Sequence, residues 1–174
     1  MDGRMNREEF EKTVTSFMES HTTMTLACSQ NNEPWAAAVF FARQDWDLIF
    51  FSSPKSRHSK IFSENPNASA AIHGDYHKWQ DIKGLQLEGT VERIKGPVAL
   101  ARATATFVKR YPFVGDFFSD PETLSMGLAK KMAKVTLYRF KPTSIRYLTN
   151  EERFGRRWRL EYRDGEPVGE PIED

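Results

Sequence analysis

The sequence predicts a mainly β protein, a small antiparallel barrel of six or seven strands with helices inserted between them. Three observations carry this reading. Short apolar runs such as "MTLACSQ", "WAAAVFFA" and "LIFFSS" are separated by turn residues. Two later runs, "LQLEGTVERI" and "RWRLEYR", alternate with a period of two. Helical spacing is confined to a few segments, so the helices read as insertions into an antiparallel sheet.

Each element follows in order. Residues 6–20 read as an amphipathic helix with Phe10, Val14, Phe17 and Met18 on one face, opened by Asn6 and Glu9 in a capping-box spacing. Asn31-Asn32 and Asp45 supply turn chemistry for two successive hairpins. A short helix over residues 57–64 ends at Asn65-Pro66, because proline disfavours helical backbone in the residue before it. "ASAAIHGDY" gives a fourth strand. In the fifth, Leu85, Leu87, Gly89 and Val91 share one face, and Gln86, Glu88, Thr90 and Glu92 the other. Gly96-Pro97 opens a long helix carrying Leu100, Thr104, Phe107, Val108 and Tyr111, ended by Pro112. Asp120-Pro121 starts another, with Leu124, Leu128 and Met132 along one side. "KVTLYRF" and "SIRYLT" make a strand pair or one bent strand. "RWRLEYR" sets Trp158, Leu160 and Tyr162 against Arg157, Arg159, Glu161 and Arg163, and reads as an edge strand with a solvated arginine face. The Gly/Pro/Glu-rich residues 164–174 are expected to be a mobile tail on a single domain spanning 1–174, whose core is 6–163.

Composition narrows the function. The 174 residues are enough for one domain with a real core, and 13% aromatic with 28% charged residues is the balance of a folded chain. The formal net charge of +1 provides no global field for nucleic acid or an anionic membrane, so any basic site must be local. No apolar run approaches the roughly 18 residues of a membrane span. The N-terminal "MDGRMNREEFEK" lacks the apolar core of a signal peptide, so a cytoplasmic protein is expected. The one cysteine, Cys28, has no internal partner and reads as a small buried hydrophobe in a strand.

One segment gathers chemistry. In "FFSSPKSRHSKIFSENP" an apolar strand ends at paired serines, and Lys55, Arg57, His58 and Lys60 follow at the start of a helix. Ser53-Pro54 or Ser56 is placed to cap that helix. Free N–H groups, hydroxyls and cations together suit a phosphate, with Arg57 able to grip it bidentately; a solvated basic turn would have the same composition. His73 and His77 stand four apart, but Gly74 interrupts them in a strand-to-turn context, so no metal site is expected. No HExxH, CxxC, GxSxG or Gly-rich nucleotide loop occurs.

The order of these parts resembles the FMN-binding split barrel of the pyridoxamine 5'-phosphate oxidase-like superfamily, most closely an uncharacterised bacterial branch. The likeness runs from the N-terminal helix through "TLAC…NNEPWAAAVFF", "LIFFSSPKSRHSKIFSENPNASAAI" and "GLQLEGTVERI" to "FGRRW", over nearly all of residues 6–163. It implies a homodimer with two FMN molecules in grooves between subunits. It places Arg57 and His58 at the flavin phosphate, assisted by Ser53 and Ser56, with Lys60 as a second cation. Ala36, Ala37, Ala38 and Val39 would line the isoalloxazine ring, with Phe51 and Ser52 adjacent, and Gln86 would reach it from the partner subunit.

The resemblance therefore implies an FMN-dependent oxidoreductase of unspecified substrate, with no catalytic residue named and no metal. Two departures argue against vitamin B6 oxidation. Pyridoxamine-phosphate oxidases proper carry an arginine and a lysine on the second strand, where "WAAAVFFA" has neither. They also use an Arg-x-His element near the C-terminus, whereas this chain has histidine only at 21, 58, 73 and 77. The alternatives are a non-enzymic flavin binder or electron carrier, and a haem-binding or haem-degrading barrel using His58, His73 or His77. A cofactor-free interaction module is the third.

Overall fold

The computed structural model describes residues 5–114 and 135–174. Helix α1 (Arg7–Ser20) begins as its sequence demands: Asn6 Oδ1 accepts the Glu9 N–H at 3.0 Å, and Glu9 Oε2 accepts the Asn6 N–H at 3.2 Å. Its buried face is Phe10, Val14, Phe17 and Met18. Strands β1 (Thr23–Gln30) and β2 (Glu33–Phe40) form a hairpin whose two turn residues, Asn31 and Asn32, both have positive φ (52° and 62°). That turn matches the twist of the strands it joins. The second hairpin pairs β3 (Ala42–Gln44) with β4 (Asp47–Ser52), and helix α2 (Arg57–Glu64) follows.

Strands β5 (Asn67–His73) and β6 (Lys83–Arg93) come next, then α3 (Pro97–Arg110) and β7 (Thr136–Thr149). The two runs expected as a strand pair or one bent strand are one 14-residue strand, β7. It passes Pro142 through a bulge, where its register with β6 slips between Glu88 and Gly89. The sheet order is β2-β1-β5-β6-β7-β4-β3, every pairing antiparallel, and the sheet curls so that β2 comes back against β4. This is a split barrel. Its interior holds Phe10, Met18, Leu26, Phe50, Ile72, Leu85, Leu87 and Phe140.

Strand β8 (Arg156–Arg163) pairs with β7, burying Trp158, Leu160 and Tyr162 as its alternation predicts. Residues 164–174 are not a mobile tail. They form β9 (Glu166–Glu173), antiparallel to β8 across an Asp164-Gly165 turn of positive φ (53° and 83°). With β9 and the three-residue β3, the described residues hold nine strands where six or seven were expected. Strand β8 is consequently no edge. Arginines of β8 and its neighbours meet the acidic end of β9: Arg156 of β8 and Arg153 just before it pair with Glu173, and Asp174 binds Arg146 of β7 at 2.9 Å. Those carboxylates give the Gly/Pro-rich segment a reason to order, and Pro167 and Pro171 are tolerated on the new outer strand.

Helix α3 leans on β3, β4 and β7 through Ala103 and Phe107; Leu100, placed on that face by spacing, remains exposed. The helix expected from Asp120-Pro121 lies outside the described residues. Among the described residues no helix is long and apolar enough to cross a membrane.

Candidate functional site

Strand β4 ends at Ser52, whose backbone still pairs with Thr136 of β7. Four residues later Ser56 caps α2, its Oγ accepting the Ser59 N–H at 3.3 Å. The tight reversal is held by the Ser56 N–H donating to Ser53 O at 3.0 Å and the Lys55 N–H donating to Ser53 Oγ at 3.2 Å. Of the two capping schemes open in the sequence, Ser56 is the cap.

This turn assembles a chain of hydroxyls. Ser56 Oγ donates to Ser59 Oγ at 2.9 Å, and Ser59 Oγ to Ser52 Oγ at 3.3 Å. Ser52 Oγ stands 2.6 Å from His58 Nε2. Every link is satisfied when His58 is neutral with Nε2 as acceptor. Burial pushes the His58 pKa down, which favours that form. The imidazole also leans on Phe62, with ring centroids 6.0 Å apart.

Arg57 points the other way. Its guanidinium lies over the Trp35 ring at 4.7 Å and donates to Glu33 Oε2 at 3.0 Å. Both residues belong to β2, so Arg57 joins the start of α2 to the strand predicted to face a ring. Half of the Arg57 side chain is open to solvent, and Glu33 is more so, which leaves the pair exchangeable. Lys55 and Lys60 are exposed beside it.

Strand β2 ends the sheet. Ala36 and Ala38 are exposed, Ala37 and Val39 half-buried, and Trp35 and Phe40 are 37% and 52% open. An edge strand this apolar, with one row of backbone groups unpaired, is an invitation to association. Phe51 turns towards α3, meeting Phe107 edge-to-face at 4.9 Å. Gln86 is exposed on β6, paired across the sheet with Ala71 and Arg146.

The fold thus collects Ser52, Ser53, Ser56, Arg57 and His58 at one turn and brings the β2 face to it. Gln86 is elsewhere: β1 and β5 separate β6 from β2, about 14 Å of sheet at the usual strand spacing. Sequence reasoning missed three participants. Ser59 completes the hydroxyl chain, and Trp35 and Glu33 hold Arg57; an aromatic and an acid flanking a hairpin of alanines carry no local signal for an arginine 24 residues away. Cys28 is buried, and burial pushes its thiol up despite nearby Arg57, as suits a structural cysteine. His73, one of the two spaced histidines, is engaged locally, its Nδ1 3.0 Å from Gly74 O.

A strand-end turn of hydroxyls and cations lies beside the open edge of this split barrel. The model of the pyridoxamine 5'-phosphate oxidase family matches residues 10–149, and the chain belongs to that family. A UPF0306 protein of Photorhabdus laumondii is 24% identical over 110 residues, 62% of this chain and 76% of its own length. Campylobacter jejuni ChuZ superposes with a TM-score of 0.70 at 17% identity, covering 96% of this chain and 64% of that one. A heme binding protein from Mycobacterium smegmatis gives 0.63 at 18% identity, covering 83% of this chain. The chain spans only 55% of that protein's length. At such identities the structural likeness speaks for the fold.

Proposed function

We propose that this chain binds FMN and serves as a flavin-dependent oxidoreductase, as a homodimer with the flavin between subunits. The observation that carries the reading is the turn from Ser52 to His58. Hydroxyls, an imidazole, an exchangeable guanidinium and the first-turn N–H groups of α2 form the donor set a phosphate monoester requires. The residues present fit the group. Arg57 would hold the phosphate in place of Glu33, with Ser53, Ser56 and His58 assisting and Lys60 adding charge. Ala36, Ala37, Ala38 and Val39 offer a flat, small-residue surface for a ring, next to Phe51 and Ser52. Since about 14 Å of sheet divides Gln86 from that surface within one chain, Gln86 reaches a ring there only from a second copy.

Bound flavin supplies the redox chemistry; the residues of this chain anchor, orient and desolvate it. The β2 surface has no cation to grip a second phosphate, which supports a substrate other than a vitamin B6 phosphate. The test is the absorbance spectrum of the purified protein, followed by FMN titration of wild type and Arg57→Ala, with riboflavin as control. A flavin band near 450 nm is expected. The variant should bind FMN about 10- to 150-fold more weakly, the worth of a charge-assisted contact of about 1.5–3 kcal/mol, with riboflavin unchanged. FMN binding that ignores the substitution removes the phosphate assignment. A Soret band in place of the flavin band would instead favour haem, the ligand named for the mycobacterial structural neighbour.

A further inference from the structure

A cavity of about 840 Å³ lies between α2, the end of β6, the start of α3 and the start of β7. It is lined by none of the twelve residues assigned to the flavin. Its floor is apolar: Phe62, Val91, Ile94 and Tyr138 are each no more than 6% exposed. Its walls are pinned by backbone bonds, the Val91 N–H donating to Pro66 O at 2.8 Å and the Ile94 N–H to Leu137 O at 3.0 Å. The space is therefore preformed, and its size is that of a small-molecule site.

The charge at its rim is one-sided. Arg93 and Lys95 line the cavity and have no ion-pair partner among the described residues. Arg139 lines it too. It forms an ion pair with Asp47 at 3.4 Å, Glu92 faces it across the sheet, and among the described residues its buried Nε has no hydrogen-bond acceptor. The single acid of the lining, Glu92, is held by Lys141 at 2.8 Å. Cations left unpaired beside a low-dielectric wall focus a positive potential into the space.

We propose that this cavity is a binding site for a small amphipathic carboxylate. The apolar body of the ligand lies on Phe62, Val91, Ile94 and Tyr138. Its carboxylate is held at the Arg93–Lys95 rim, where charge-assisted hydrogen bonds are available. Apolar contact supplies affinity, and the unpaired cations supply the preference for an anion. The site touches the β4–α2 turn at Pro54 but shares none of the residues assigned to the flavin, so it does not depend on what that turn binds.

The probe is 2-naphthoate, titrated calorimetrically into the full chain, with 2-naphthylmethanol as the neutral isostere. Saturable one-to-one binding is expected, at least tenfold tighter for the acid. Ala99→Trp, which fills the cavity from α3, should abolish it. Because that variant risks misfolding, the surface pair Arg93→Ala/Lys95→Ala provides a second test, expected to weaken the acid at least tenfold and leave the alcohol unchanged. No saturable binding by wild type overturns the proposal. So does equal affinity for the two probes, or an acid titration that the Arg93/Lys95 variant leaves unaltered.

Discussion

At the scale of single residues, the site is set by where His58 and Arg57 point. His58 faces inward to Ser52 on β4 and to Phe62 on its own helix, and among the described residues Ser52 is the polar partner of its ring. Burial lowers its pKa below the ordinary 6.5, so unfolding at mildly acid pH takes up a proton that the native state does not hold. Its contribution to stability is therefore complete above about pH 6.5 and declines as pH falls through the window between 6.5 and the depressed value. Thermal melts from pH 7.5 to 5 should show wild type losing more than His58→Gln; parallel losses would mean that the imidazole is not buried neutral. A bound phosphate reverses the balance by favouring the imidazolium, so FMN should blunt this acid sensitivity.

At the scale of elements, the helices are fastened to the sheet by a few polar devices. Arg110, at the end of α3, donates to the carbonyls of Met18 (2.9 Å) and His21 and to Glu19 Oε2 (3.1 Å), closing the C-terminus of α1, which has no basic residue of its own. Tyr111 adds its hydroxyl to Thr22 O at 3.0 Å and Phe41 O at 2.6 Å. Arg110→Ala should cost about 1.5–3 kcal/mol in urea unfolding, because it strands several carbonyls where only 14% of the side chain meets solvent. Between strands the device is steric, at Gly89. A Cβ there would collide with the Lys141 carbonyl oxygen at the bulge opposite Pro142. Gly89→Ala should part β6 from β7 and lower the melting temperature by more than 10 °C, whereas Gly96→Ala, facing open space, should pay only the strain of a positive φ.

At the scale of the whole molecule, the proposed homodimer would draw on the open edge. Strand β2 ends the sheet path and leaves Trp35, Ala36, Ala38 and Phe40 exposed. Sedimentation should report twice the 20.1 kDa chain mass. The melting temperature should rise with protein concentration, as mass action requires of a dimer. Ala36→Glu, which sets a charge on that edge, should shift the protein towards monomer; an unchanged sedimentation coefficient would move the interface elsewhere.

Much of this was legible locally. Alternation, capping residues and turn pairs are short-range physics, so α1, the β1–β2 hairpin and the buried faces of β6 and β8 could be read directly, as could the serine-to-basic turn. Strand β9 was legible and missed: Asp164-Gly165 after an alternating run is a hairpin signal, outweighed by the Gly/Pro/Glu composition behind it. The continuity of β7 across Pro142 was not legible, because it depends on the bulge that β6 accommodates.

By itself the sequence determined which segments extend, where they turn, and that hydroxyls and cations gather after β4, since each depends on neighbours a few residues apart. Only the tertiary structure decided that Arg57 leaves the turn for Trp35 and Glu33, that His58 closes on Ser52, and that β1 and β5 stand between Gln86 and the β2 face of its own chain. Those outcomes depend on how the sheet curls and on which strand becomes its edge. Curl and edge emerge from strand pairings long-range in sequence, which no local pattern encodes.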